Sequence, residues 1–156
     1  MINLEKQLEQ DLKTLFSTAL ATAEITGVSY RCFWLDDETA SDKETPSFPC
    51  IQIKTSPSGP AEETGYKSPF REMTAECIIY TFHAEDKKRD TLGDIWEVID
   101  HTIYNSDITS GSGLVSAVEI WRPDAGDCDV MEVAKGVSLN MVSFNVNINC
   151  CYQFSA

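Results

Sequence analysis

The stretch VSFNVNINCCYQF, Val142–Phe154, alternates large apolar residues with polar residues that carry no charge. Alternation with a period of two predicts a β-strand with one buried face. The polar face is unusual because it contains Asn145, Asn147 and Asn149, and Asn is a poor strand former. From Gly136 onward no side chain of the sequence is charged. Any fold and function proposed for this chain must account for that uncharged polar face.

The chain has 156 residues, a formal net charge of −13 and a pI near 4.4. This length is enough to bury a core, and we expect residues 1–156 to form a single domain. The acidic excess argues against binding to nucleic-acid phosphates or anionic membranes, because both need Lys and Arg. No apolar run approaches the roughly 18 residues of a membrane-spanning helix. MINLEKQLEQ lacks the order of a signal peptide, so we expect a cytosolic protein with reduced cysteines.

Hydrophobic periodicity predicts two helices and five strands. Apolar residues at steps of three and four predict a helix over Leu4–Ala23 and a second over Thr91–Tyr104, the latter capped by Asp90. The predicted strands are Val28–Leu35, Phe48–Thr55, Phe70–His83, Leu114–Trp121 and Val133–Phe154. The order α-β-β-β-α-β-β indicates an α+β fold, an antiparallel or mixed sheet with both helices on one face.

Three irregular features accompany these elements. Ser56–Pro69 is predicted to be a long loop, and long loops in compact domains are often functional. Arg122–Asp129 is predicted to be an acidic turn. In the last strand the apolar residues change from odd to even positions between Met141 and Val142, which predicts a β-bulge there.

No motif for catalysis, a metal or a cofactor is present in the sequence. No G-x-S-x-G motif supplies a serine nucleophile to act with either of the two histidines. There is also no C-x-x-C pair and no phosphate-binding glycine loop. The acids between Asp124 and Asp129 do not have the spacing of a calcium loop. We therefore expect no catalytic, cofactor-binding or metal-binding residue. An enzyme built on Asp36, Asp124, Asp127 and His83 remains an alternative.

The position of the closing strand within the sheet stays open at this stage. A long strand that is apolar on one face and uncharged on the other would pair with another chain if it lay at a sheet edge. Alternatively, the strand lies in the middle of its own sheet, with its Asn face under a loop.

The element order resembles that of a known family. The strand that opens with FPCIQI is followed by FREMTAECIIYTF, which continues through a charged turn into the helix RDTLGDIWEVIDHTIYN, then by VSAVEIW and the long closing strand. This order, together with size and acidity, resembles the tail terminator (tail-completion) proteins of long-tailed bacteriophages over nearly the whole chain. Head–tail joining or neck proteins share several of these features and are the alternative, as is a small acidic protein-binding adaptor that docks through Leu4–Ala23.

The resemblance implies a structural virion protein and not an enzyme. Such a protein forms a homo-hexameric ring that caps the tail tube, halts tube polymerisation and joins the tail to the head connector and neck proteins. Double-stranded DNA passes through the acidic lumen without specific binding, and neither a membrane nor a cofactor is involved. The resemblance places the protein in the virion tail or neck, and in the host cytoplasm during assembly.

The resemblance also gives the unusual residues a role. Six copies at −13 each would carry −78, so their contacts must avoid buried charge. Asn145, Asn147 and Asn149 are therefore interface candidates. Tyr66 and Lys67, an aromatic residue beside a cation in the long loop, are candidates for reaching the tail tube.

Overall fold

The computed structural model describes residues 4–36, 47–57, 59–60, 70–105 and 117–151. The elements are α1 Leu4–Thr22, β1 Ser29–Cys32, β2 Cys50–Thr55, β3 Gly59–Pro60, β4 Phe70–Phe82, α2 Asp90–Tyr104, β5 Ala117–Trp121, β6 Asp127–Ala134 and β7 Val137–Cys151. The strands form one sheet in the order β1-β2-β4-β7-β5, with β3 beside β4 and β6 beside β7. β1 and β2 are parallel and the other pairs are antiparallel. The predicted α+β class is confirmed.

Both helices pack on the same face of the sheet. The apolar stripe of α1 (Leu8, Leu12, Phe16) and that of α2 (Ile95, Ile99) are buried in one core. Alternation along the strands sends a second set of apolar side chains into this core from the sheet. That set includes Ile51, Ile53, Met73, Cys77, Ile79, Val142, Phe144, Val146 and Ile148. We call the other side of the sheet the open face, because neither described helix covers it.

β7 lies in the interior of the sheet. β4 pairs with one edge of β7 from Phe70 opposite Cys151 to Phe82 opposite Leu139. β5 and β6 pair with two separate parts of its other edge. The suggestion that β7 is a free edge available to another chain is therefore wrong, and its placement in the middle of its own sheet is confirmed.

β7 has no bulge at Met141, so that prediction is wrong. Its pairing with β4 is continuous through this point. The apolar residues change from odd to even positions because odd positions of β7 point to the open face and even positions point to the helices. Leu139 is buried on the open face opposite Phe82, whose ring stacks on Phe48 at 6.4 Å, whereas Val142 and later even positions face the helices.

β6 is a strand that the sequence did not predict. The predicted turn Arg122–Asp129 ends earlier than expected, because β6 begins at Asp127, and the predicted long strand Val133–Phe154 is interrupted by a turn at Lys135 and Gly136, which joins β6 and β7 as a hairpin. Gly136 has φ 77°, a conformation that favours glycine. All eight residues of β6 are exposed, so the strand has no buried face to produce an apolar period.

The start of α2 is capped by Asp86 and not by the predicted Asp90. The Asp86 carboxylate accepts the backbone N–H groups of Thr91 and Leu92, each at 3.1 Å. It also accepts the hydroxyl of Thr81 at 2.9 Å. A carboxylate at a helix N-terminus satisfies free N–H groups and interacts favourably with the helix dipole. Asp86 thus ties the end of β4 to the helix that follows it.

Candidate assembly surface

The uncharged side chains of β7 form a row on the open face. We call Ser143, Asn145, Asn147 and Asn149 the neutral row; all four side chains are half-buried. Because β7 is central, the row runs along the middle of the sheet. Tyr80 and Met141, which are opposite each other in the register, continue it as a half-buried apolar surface.

Each asparagine of the neutral row has a defined partner on β4. Asn145 lies opposite Glu76, Asn147 opposite Thr74 and Asn149 opposite Glu72. The Thr74 hydroxyl donates to Asn147 Oδ1 at 2.9 Å. Like charges directly opposite each other destabilise a sheet, whereas opposite charges stabilise it by about 0.2–1 kcal/mol. The register therefore disfavours Asp or Glu at positions 145 and 149 but would favour Lys.

The other predicted interface residues, Tyr66 and Lys67, lie outside the described residues, as does most of the predicted loop 56–69. Within that range the structure describes the two-residue strand β3, which pairs with β4.

The alternative enzyme site is not assembled. Asp36 follows β1 and Asp127 lies in β6, so β2, β4 and β7 separate them. His83 Nδ1 bonds the Asn140 side-chain oxygen at 2.8 Å, and Asn140 Nδ2 donates to the Asp86 carbonyl at 2.8 Å. Because that carbonyl can only accept, Asn140 must present its oxygen to His83, and Nδ1 of His83 carries the proton. Over the described ranges, no three His, Cys, Asp or Glu side chains are grouped to hold a metal ion.

The helix side of the molecule exposes less apolar surface that a partner protein could contact. The apolar stripe of α1 is buried in the core of the chain, so it is not available as the docking surface of an adaptor. His101 and Glu97 line an open groove of about 410 Å³ between α1 and α2. Neither α1 nor α2 is both long and apolar enough to cross a membrane.

Sequence reasoning found the asparagines but missed what surrounds them. Glu72 and Glu76 became relevant only when the register between β4 and β7 was known. Sequence reasoning also missed Glu9 of α1, a charged residue that is fully buried. A signal for Glu9 was present, because Leu12 and Phe16 follow it at steps of three and seven and share its side of the helix.

No model of a known protein family matches the chain, and no curated protein matches it at a significant level of similarity. The function is therefore argued from the fold and the open face. A sheet face with neutral, half-buried side chains suits contact with another protein.

Proposed function

We propose that this chain is a structural subunit of a bacteriophage tail, a tail terminator. Six copies form a ring that caps the tail tube, stops its polymerisation and joins it to the head connector, and DNA passes through the lumen. The observation that carries this proposal is the neutral row on the open face of a chain with a net charge of −13. The element order of the sequence supplies the resemblance to the family.

An assembly gives a physical reason for the uncharged side chains of the neutral row, whereas a lone chain gives none. In the isolated chain, Lys at position 145 or 149 would face Glu76 or Glu72 and would stabilise the sheet. A partner that covers the row would exclude both signs of charge, because burying an unpaired charge is costly. Ser and Asn can instead form neutral hydrogen bonds across such a contact.

The acidity of the chain is consistent with a DNA passage. Six copies at −13 each would carry −78. Carboxylates that line a lumen repel phosphates, so DNA would slide without deep binding sites. The same charge requires that the contacts of such a ring be neutral or paired, as the neutral row is.

The test is a double variant, Asn145→Lys with Asn149→Lys. We expect its free energy of unfolding to equal or exceed that of the wild type by up to about 1 kcal/mol for each new pair with Glu76 or Glu72. We expect it to lose assembly on tail tubes. Thr18→Lys, at an exposed position of α1 on the other side of the molecule, is the control and adds one positive charge, the same as each substitution of the double variant.

Electron microscopy of tail tubes mixed with each protein gives the measurement. The wild type and Thr18→Lys should place a six-fold annulus at one end of the tube, and the double variant should not. If the double variant forms the same annulus, the neutral row is not a contact surface. If the wild type never binds tubes, the tail terminator function is wrong.

A further inference from the structure

Exposed apolar side chains concentrate at the two lateral margins of the sheet. The large hydrophobic residues that are exposed in the described chain are Phe33, Tyr104, Val130, Met131 and Val133. Phe33 directly follows β1, and three of the others lie in β6. β1 and β6 are separated by β2, β4 and β7, so about 19 Å lies between the margins at 4.8 Å per strand.

At the β1 margin, an aromatic ring and a cation form a rigid surface. Phe33 is 44% exposed, and Lys54 Nζ lies 4.9 Å from its ring centroid. Trp34 meets the Phe33 ring edge-on at 5.4 Å and is itself fixed, because its indole N–H donates to the Thr55 carbonyl at 2.6 Å. A side chain held in this way loses little conformational entropy when a partner covers it.

The backbone of the β1 margin is already occupied at the end nearest Phe33. The N–H of Phe33 donates to Ile53 of β2, so that of Cys32 points away from the sheet. Asp36 bonds both outward groups of Cys32: its carboxylate accepts the N–H at 2.7 Å, and its own N–H donates to the carbonyl at 3.1 Å. A partner at this end of the margin therefore meets side chains rather than adding a strand.

At the β6 margin, apolar and acidic side chains occur together. Val130 and Met131 are each 38% exposed, and Asp127, Asp129 and Glu132 are exposed beside them. The Asp129 carboxylate accepts the N–H of Val130 at 2.8 Å. Carboxylates on an edge strand oppose pairing with a second acidic edge. Two β6 margins therefore do not suit each other.

We propose that the two margins meet between neighbouring copies of this chain, head to tail, with Phe33 packed on Met131 and Lys54 paired with Asp129, which lies on the same face of β6 as Met131. A second copy is the occupant that fits, because each margin carries exposed apolar side chains and Lys54 and Asp129 are opposite in charge. A contact between unlike surfaces is heterologous and closes into a ring when the rotation permits. This inference rests on the proposed ring and names its seam, leaving the neutral row at the centre of the open face to the tail tube.

The experiment is a charge swap on the full chain. Lys54→Glu and Asp129→Lys are made singly and together, and the association constant is measured by mass photometry at low salt. Each single variant should weaken association at least about tenfold, a typical effect of one close charge pair, and the double variant should restore most of it. Lys88→Glu, an exposed cation in the turn after β4, is the control and should have no effect.

A second variant protects the test from misfolding. Lys54 lies opposite Glu76 in the register, so Lys54→Glu weakens the sheet slightly as well. Phe33→Ser changes no charge and removes a side chain that is 44% exposed; it should weaken association, while the lost packing on Trp34 lowers the thermal unfolding midpoint and leaves the transition cooperative.

The outcomes separate this inference from the function on which it rests. If wild-type oligomers form and none of the three single variants changes their association, the seam lies elsewhere and the ring can stand. If the charge swap behaves as expected but no annulus forms on tail tubes, the seam is correct and the tail terminator function is wrong. A wild type that stays monomeric both in solution and with tail tubes overturns both.

Discussion

Replacement of the buried Glu9 tests how the helix layer is joined to the sheet. Glu9 lies in α1 and is 0% exposed. One carboxylate oxygen accepts the backbone N–H groups of Trp34 and Leu35, and the other accepts that of Thr55 at 3.2 Å. A single side chain therefore accepts hydrogen bonds from backbone N–H groups in two segments, the turn after β1 and the end of β2.

The expected magnitude follows from which contacts each substitution removes. Glu9→Gln keeps the oxygen that serves Trp34 and Leu35 but turns an amide NH₂ towards the N–H of Thr55. One buried donor is then left without an acceptor, which costs about 1–3 kcal/mol. Glu9→Ala leaves all three donors without an acceptor and costs roughly three times as much, a large share of the about 5–15 kcal/mol that stabilises a typical domain.

Urea unfolding followed by tryptophan fluorescence measures this effect, with Trp34 as a reporter beside the site. Glu97→Gln, at an exposed position of α2, is the matched control and should change the free energy of unfolding by less than about 0.5 kcal/mol. If Glu9→Gln unfolds at the same urea concentration as the wild type, the three hydrogen bonds do not hold α1 to the sheet.

The pH dependence gives an independent check on Glu9. Burial raises the pKa of its carboxyl above 4.5, and the three N–H donors only partly oppose this. The folded state then binds the proton more tightly than the unfolded state, so the contribution of Glu9 to stability falls as pH rises from its unfolded pKa through its folded pKa. The difference in unfolding free energy between wild type and Glu9→Gln should therefore grow as pH is lowered through that window. A difference that shrinks would contradict the raised pKa.

Three further variants or labels test the remaining framework. Asp86→Ala should cost about 2–4 kcal/mol, since it removes the cap of α2 and a buried partner, whereas Asp94→Ala at an exposed position of α2 should cost little, both measured by urea unfolding. Gly93→Ala should raise the free energy of unfolding by up to about 1 kcal/mol, because nothing lies within 4 Å of the added carbon inside α2. Iodoacetamide at pH 8, mapped by mass spectrometry, should label the exposed Cys128 quickly and the buried Cys77, whose pKa burial raises, only after unfolding.

The fold could be predicted wherever an element buries one face. α1, α2 and β4 each carry an apolar stripe of the correct period, and their predicted bounds differ from the observed ones by a residue or less. β6 could not be predicted in this way, because all of its side chains are exposed and hydrogen bonding to β7 alone holds it in the sheet.

The candidate surface was predictable in composition but not in position. The asparagines were visible as an uncharged alternation, yet the same pattern fits an edge strand and a central strand equally well. Only the register shows that β7 is paired on both sides and that Glu72 and Glu76 face the asparagines. Pairing between distant segments depends on the whole fold, and local periodicity carries no information about it.

The arrangement of charge across the open face favours a contact there over exposure to solvent. Along one row of the sheet, Lys54 on β2 faces Glu76 on β4, which in turn faces Asn145 on β7. Charged side chains thus occur on this face on both sides of β7, since Asp129 of β6, on the other side, lies opposite Met141, but β7 itself carries none. A face exposed to water has no reason to exclude Lys from its centre, particularly opposite a glutamate. A covered face has such a reason, because interfaces tolerate charge at the rim and exclude it from the centre.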